Sequence, residues 1–156
     1  MKLRIICMGK TREHFIQEGI QKYLRYLTPY AGIEMLELKE EKIKDLKDAP
    51  LVRKKEAEKI FRSLPAGTFL ATLDERGEEF TSHEFAGFLN AVMESGVKEA
   101  VFVIGGAMGL DEQVTVRANK VIAMSRWTLT HEMARLVLLE QIYRALSIIY
   151  NHPYSK

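Results

Sequence analysis

The sequence predicts an α/β fold: a mainly parallel sheet with helices on both faces. Three observations lead there. Five short apolar runs recur along the chain. Segments of helical periodicity alternate with them, which is the pattern of parallel strands joined by crossover helices. Proline or glycine punctuates several of the junctions. At 156 residues, one domain over 1–156 with a substantial core is expected.

The elements follow in order. Leu3 to Met8 reads as a buried strand that stops at Gly9. Thr11 to Leu27 reads as a helix, with Phe15, Ile16, Ile20, Tyr23, Leu24 and Leu27 at helical spacing, closed by Pro29 and Gly32. Ile33 to Leu38 alternates apolar and acidic residues, as a half-exposed strand does. Lys39 to Asp48 reads as a solvated loop, and Leu51 to Leu64 as a charged amphipathic helix closed by Pro65 and Gly67. Thr68 to Leu73 is the third strand, with Asp74-Glu75-Arg76-Gly77 as a turn. Thr81-Ser82-His83-Glu84 carries a capping-box pattern, opening a helix that runs to about Ser95 and stops at Gly96. Val101 to Ile104 is the fourth strand, Asp111 to Asn119 a short helix and Val121 to Met124 the fifth strand. Thr130 or His131 opens the last helix, which runs to about Tyr150 before Pro153 forbids a long continuation.

Composition narrows the function classes. Lys and Arg number 23 against 21 Asp and Glu, a formal net charge of +2. Such balance argues against coating nucleic acid by bulk charge but leaves room for a local patch. The stretch from Arg117 to Lys156 is net +4 and the rest net −2. The single cysteine, Cys7, sits in an apolar run and reads as a buried thiol. It allows no internal disulfide, and the four histidines at 14, 83, 131 and 152 form no metal-ligand pattern. No run is long and apolar enough for a signal peptide or a membrane span. A cytoplasmic protein with no metal and no membrane partner is expected.

The last helix bears on assembly. Met133, Leu136, Val137, Leu138, Leu139, Ile142, Tyr143, Ala145, Leu146, Ile148 and Ile149 cover most of its circumference. An ordinary surface helix buries one stripe, so this one needs cover on two sides. The sheet supplies one, and a second copy of the chain is the expected other, giving a homodimer through this helix.

Chemistry concentrates between Val101 and Tyr154. Val101-Phe102-Val103-Ile104 breaks into Gly105-Gly106-Ala107-Met108-Gly109, and the fifth strand runs into Ser125-Arg126-Trp127-Thr128-Leu129-Thr130-His131. Parallel strands that end in such loops leave bare backbone at the sheet edge where α/β proteins bind ligands. The glycine loop follows the fourth strand and lacks the G-x-G-x-x-G spacing, and no G-x-x-x-x-G-K-[ST] occurs, so phosphate-cradle readings are weak. The three glycines can make a tight turn or admit a ligand to the backbone. His131 can cap the last helix or accept a proton from a ligand beside it. Arg135 lies one turn later, on the same side of that helix.

These residues together resemble a known family. Leu73-Asp74-Glu75-Arg76-Gly77, Phe102-Val103-Ile104-Gly105-Gly106 with Gly109-Leu110, Ser125 with Thr128-Leu129 and His131, and Glu140-Gln141-Ile142-Tyr143-Arg144-Ala145 with Asn151-His152-Pro153-Tyr154 are similar to the RlmH family. These are small bacterial SPOUT-class methyltransferases that modify a pseudouridine in large-subunit ribosomal RNA. The resemblance implies S-adenosylmethionine as methyl donor, N3 of pseudouridine as acceptor, the intact 70S ribosome as substrate and a homodimer. It also implies a C-terminal trefoil knot, which general topology rules would not suggest.

Carried over by position, Leu73, Ile104, Gly105, Gly106 and the loop Met124, Ser125, Arg126, Trp127, Thr128 and Leu129 would hold the cofactor. Leu73, Ile104, Met124 and Leu129 suit the flat faces of adenine, and loop backbone groups suit its polar edge. His131, Arg135 and Tyr154 match positions near the acceptor. His131 is the candidate for taking the N3 proton. A cation beside a sulfonium is unhelpful, so Arg135 is set against RNA phosphate or the base carbonyl oxygens; Arg126, Arg135 and Lys156, in the net-positive quarter, are the candidates for RNA contact. The chain departs from the family pattern at Thr130 for a proline, Ser155 for a tail histidine and a large Trp127 in the cofactor loop. A non-catalytic ribosome-binding factor, or an enzyme that methylates transfer RNA, are the alternatives.

Overall fold

A computed structural model describes residues 1–155; Lys156, assigned above to RNA, lies outside the described residues. Five strands form one sheet: β1 (Lys2–Met8), β2 (Ile33–Leu38), β3 (Phe69–Glu79), β4 (Glu99–Ile104) and β5 (Lys120–Ala123). Their order is β2-β1-β4-β3-β5, and every paired neighbour is parallel. The helices are α1 (His14–Leu27), α2 (Ala49–Ser63), α3 (Ser82–Glu94), α4 (Glu112–Arg117) and α5 (His131–Ile149). Single 3-10 turns occur at Leu46–Asp48 and Pro153–Ser155.

Strand alternation sorts the core into two layers. Leu3, Ile5 and Cys7 pack with Ile16 and Ile20 of α1, Phe85 and Leu89 of α3, and Leu139 and Ile142 of α5. Ile6 and Met8 face the other way, onto Ala57 and Ile60 of α2 and Val114 of α4. Helices therefore cover both faces, as the sequence predicts. No helix among the described residues is long and apolar enough to cross a membrane.

Three elements differ from expectation. The first helix begins at His14, not Thr11, because the Thr11 backbone N–H and hydroxyl both donate to Glu37 Oε1, at 2.8 and 2.7 Å. β3 does not end at Leu73. Residues 74–77 do turn, with Asp74 Oδ1 accepting from the Arg76 backbone N–H at 3.0 Å. The strand then resumes, so that Leu73 and Glu78 both pair with Ile122. Gly77 makes this fit: a Cβ there would lie 2.6 Å from the backbone of Ile122.

The third difference concerns α5. Every one of its residues is buried or half-buried within the single chain. The sheet, α1 and α3 supply more of this cover than the sequence alone indicates. Gly19 on α1 allows the approach: a Cβ there would meet Leu136 at 2.7 Å. Met133, Leu136, Val137, Ile148 and Ile149 are nevertheless only half-buried, so α5 keeps a partly open apolar side.

Candidate active site

Parallel strands point their C-terminal ends the same way, and the adjacent tips of β4, β3 and β5 open one cavity of about 1120 Å³. That is ample for a nucleoside-sized ligand. Its walls include Leu73 at the inner end of β3, Ile104, Gly105 and Gly106 after β4, and Met124, Ser125, Trp127, Thr128 and Leu129 after β5. His131, at the first position of α5, completes the wall. Nine of the ten residues assigned to the cofactor line one space; Arg126 alone among them does not.

Local physics shapes each loop. After β4 the chain folds back, with the Gly109 N–H donating to Gly106 O at 3.0 Å. A Cβ on Gly105 would sit 2.8 Å from the carbonyl carbon of Gly109, so only glycine permits this closure. After β5, Ser125 Oγ accepts from the Trp127 N–H at 3.1 Å and donates to the Trp127 carbonyl at 2.8 Å. Thr130 ends that loop as the N-cap of α5, its hydroxyl accepting from the Met133 N–H at 3.2 Å. A proline at 130 would offer no such acceptor.

The charged lining is net acidic: Asp74, Glu75, Asp111 and Glu112 against Arg53 and Arg76. Asp74 binds Arg76 through two bonds, 2.8 and 2.9 Å, and that guanidinium holds the carboxyl below its usual range despite partial burial. Arg53 reaches the Met108 carbonyl at 3.5 Å. This balance favours a cationic ligand over a phosphate. The sequence reading missed the contribution of α2, where Pro50 and Arg53 line the cavity. Its pattern is that of a charged surface helix, which carries no signal of a site.

Two assigned residues stand elsewhere. Arg135 is fully buried and offers nothing to RNA. Its guanidinium donates to Met8 O at 2.6 Å, Thr11 Oγ1 at 2.8 Å and Glu37 Oε1 at 3.3 Å. The neighbouring Glu132 accepts from the backbone N–H groups of Arg12 and Glu13, at 2.9 and 3.0 Å. The first turn of α5 is therefore bolted to the loop after β1, which fixes His131 at the cavity wall. Tyr154 packs on Tyr143 with ring centroids 4.5 Å apart, and its hydroxyl lies 3.2 Å from both Tyr23 and Glu140. Tyr143 is twelve residues beyond His131, roughly 18 Å along the helix. Within one chain Tyr154 is thus remote from the cavity. Arg126 is 89% exposed and only loosely paired, its Nε 3.4 Å from Glu79. Among the described residues no cluster of His, Cys, Asp or Glu could hold a metal.

A profile described as a predicted SPOUT methyltransferase matches residues 1–155. The chain belongs to the SPOUT methyltransferase family. It is similar to proteins named ribosomal RNA large subunit methyltransferase H. That of Desulforamulus reducens is 41% identical over 161 residues, spanning 100% of this chain and 99% of the relative. That of Geobacter sulfurreducens is 44% identical over 154 residues, spanning 99% of each. Among solved structures, a probable methylase family protein from Haemophilus influenzae aligns with a TM-score of 0.56 at 14% identity, covering 99% of this chain and 70% of the other. A probable methyltransferase from Bordetella pertussis gives 0.54 at 15%, covering 93% and 96%. These two establish likeness of fold only. In this family member, the residues that carried the resemblance in the sequence converge on the strand-tip cavity, the C-terminal segment excepted.

Proposed function

We propose that this SPOUT family member transfers the methyl group of S-adenosylmethionine to N3 of a pseudouridine in large-subunit (23S) ribosomal RNA. The substrate is the assembled 70S ribosome in the cytoplasm, and the enzyme works as a homodimer. One observation carries the reading: the residues matching the family's cofactor loops line a single cavity at three adjacent strand tips. The full-length likeness to ribosomal RNA methyltransferases supports the substrate class.

The cavity fits the cofactor. Leu73, Ile104, Ile122, Met124 and Leu129 offer apolar walls to a purine, and the carboxylate surplus suits a ligand that carries positive charge. When bound, S-adenosylmethionine supplies an electrophilic methyl on a sulfonium. The chain's own residues do the rest. The apolar walls and closed glycine loop fix orientation, and positioning of this kind supplies roughly 7–11 kcal/mol in favourable cases. His131, held at the mouth of α5, takes the N3 proton. Replacing it with alanine is expected to lower the single-turnover rate by about 10²–10⁴ while cofactor affinity holds. A full rate in that variant removes the role. Arg126 meets RNA phosphate, so Arg126→Ala should reduce the salt slope of ribosome binding by about one.

The dimer forms through the last helix, whose apolar residues Met133, Leu136, Val137, Ile148 and Ile149 are only half-buried in one chain, and the tail supports it. Tyr154 lies far from its own cavity, so it serves a methyl-transfer site only across a subunit boundary. Exposed Phe15 and Tyr26 on α1, with Tyr150 after α5, offer apolar surface for that contact. The deciding experiment is transfer of labelled methyl from S-adenosylmethionine to 70S ribosomes lacking the modification. Label in 23S RNA at N3 of one pseudouridine is the expected result. Label in isolated transfer RNA alone, or ribosome binding without cofactor binding, would favour the alternatives.

A further inference from the structure

We propose that Trp127 is a stacking platform that receives an unpaired base of the RNA substrate at the mouth of the cavity. The inference rests on the methyltransferase reading and adds a substrate-contacting residue to it. Trp127 is the only tryptophan in the chain and stands 84% exposed on the rim. Large aromatic side chains are seldom left in water, because their burial is among the strongest apolar contributions to folding or binding. The Trp127 loop lines the cofactor cavity, whose apolar walls include Leu73, Ile104, Ile122, Met124 and Leu129, while the indole itself stays largely in solvent.

Two features favour a nucleobase as the occupant. The indole is presented on a prepared loop, with both Trp127 backbone groups held by Ser125 Oγ and the loop's end capped by Thr130. A platform fixed in advance loses little freedom on binding. Its chain neighbour Arg126 is 89% exposed. Its pair with Glu79 is loose, at 3.4 Å, and an aromatic face beside an exposed guanidinium is how proteins hold unpaired nucleotides, the ring taking the base and the cation the phosphate. The carboxylates Asp74, Glu75, Asp111 and Glu112 line the cavity and disfavour phosphate inside it. The backbone of the RNA is thereby left to exposed Arg126, which does not line the cavity.

The test compares wild type, Trp127→Phe and Trp127→Ala. Methyl transfer to ribosomes gives KM and kcat, calorimetry gives the Kd for S-adenosylmethionine, and light scattering gives the mass. So exposed a side chain is dispensable for folding, which circular dichroism checks. Trp127→Ala should raise the ribosome KM about tenfold, the scale of one lost base stack. Mass should be unchanged, any loss of cofactor affinity should be well below the ribosome loss, and Trp127→Phe should recover most of that loss. Unaltered ribosome kinetics in Trp127→Ala overturns the proposal. So does an equal weakening of the cofactor, which would make the indole part of the cofactor loop, or a change of mass, which would make it part of a subunit contact. If wild type methylates ribosomes and Trp127→Ala does so equally, the platform alone fails. If wild type transfers no methyl to ribosomes, the platform and the substrate reading fail together.

Discussion

The guanidinium of Arg135 has three acceptors and no solvent. Its position one turn after His131 was visible in the sequence, but periodicity does not say which of two polar residues on one side turns inward. What settles it is the demand of the Met8 carbonyl and the Thr11–Glu37 pair, from elements far away in the chain. Arg135→Met should cost about 3 kcal/mol in urea denaturation, since it strands buried acceptors. Arg135→Lys should recover only part, because a point charge cannot span a fork of acceptors. Cys7 was readable as a core thiol, and it is fully buried. Burial pushes it up to about 12 from 9.0; the Arg135 charge opposes that rise and the Glu37 charge adds to it. In the unfolded chain the thiol ionises near its ordinary value, so unfolding releases a proton above about pH 9. Stability from this group is full below that pH and falls between pH 9 and 12. Cys7→Ala should flatten that alkaline decline in pH-dependent denaturation.

Elements were legible where periodicity is local and obscure where partners are distant. The strands Leu3 to Met8 and Ile33 to Leu38 and the capping box at Thr81 and Glu84 needed only neighbouring residues to declare themselves. The start of α1 did not. Its N-cap, Glu13, makes no side-chain cap of its own. Glu132 on α5 instead holds the Arg12 and Glu13 N–H groups just ahead of the helix, and its carboxyl lies below the usual range although burial, the largest single influence, raises it, because those two N–H groups together with His131 and Arg135 outweigh it. Glu132→Ala should destabilise by about 1–3 kcal/mol and fray the first turn of α1, visible as faster hydrogen exchange at residues 14–17. β3 shows the same limit. Asp74 to Gly77 has turn composition and does turn, yet the strand resumes because β5 offers Ile122 to both sides of the excursion. Gly77→Ala should cost about 1–3 kcal/mol in thermal unfolding, since the clash is with backbone that cannot move aside.

For the whole molecule, the layers were legible and the order of strands was not. Alternating strands and helices specify a covered parallel sheet, but nothing local places β4 between β1 and β3. That order is what brings the β3, β4 and β5 tips together, so the sequence could nominate the glycine loop and the Ser125 to His131 loop by their strand ends, but only the family resemblance joined Leu73 to them. The same resemblance placed Tyr154 at the acceptor, where one chain alone does not put it. Light scattering at micromolar concentration should therefore give twice the mass of one chain, and a monomeric mass would remove the tail from the site. The measurement that bears most directly on the cavity is calorimetric titration with S-adenosylmethionine of wild type and of Met124→Trp, which fills the slot without adding charge. One cofactor bound per wild-type chain, and none by the folded variant, is the result this structure predicts. A wild type that binds no S-adenosylmethionine, or a filled variant that binds it undiminished, would contradict it.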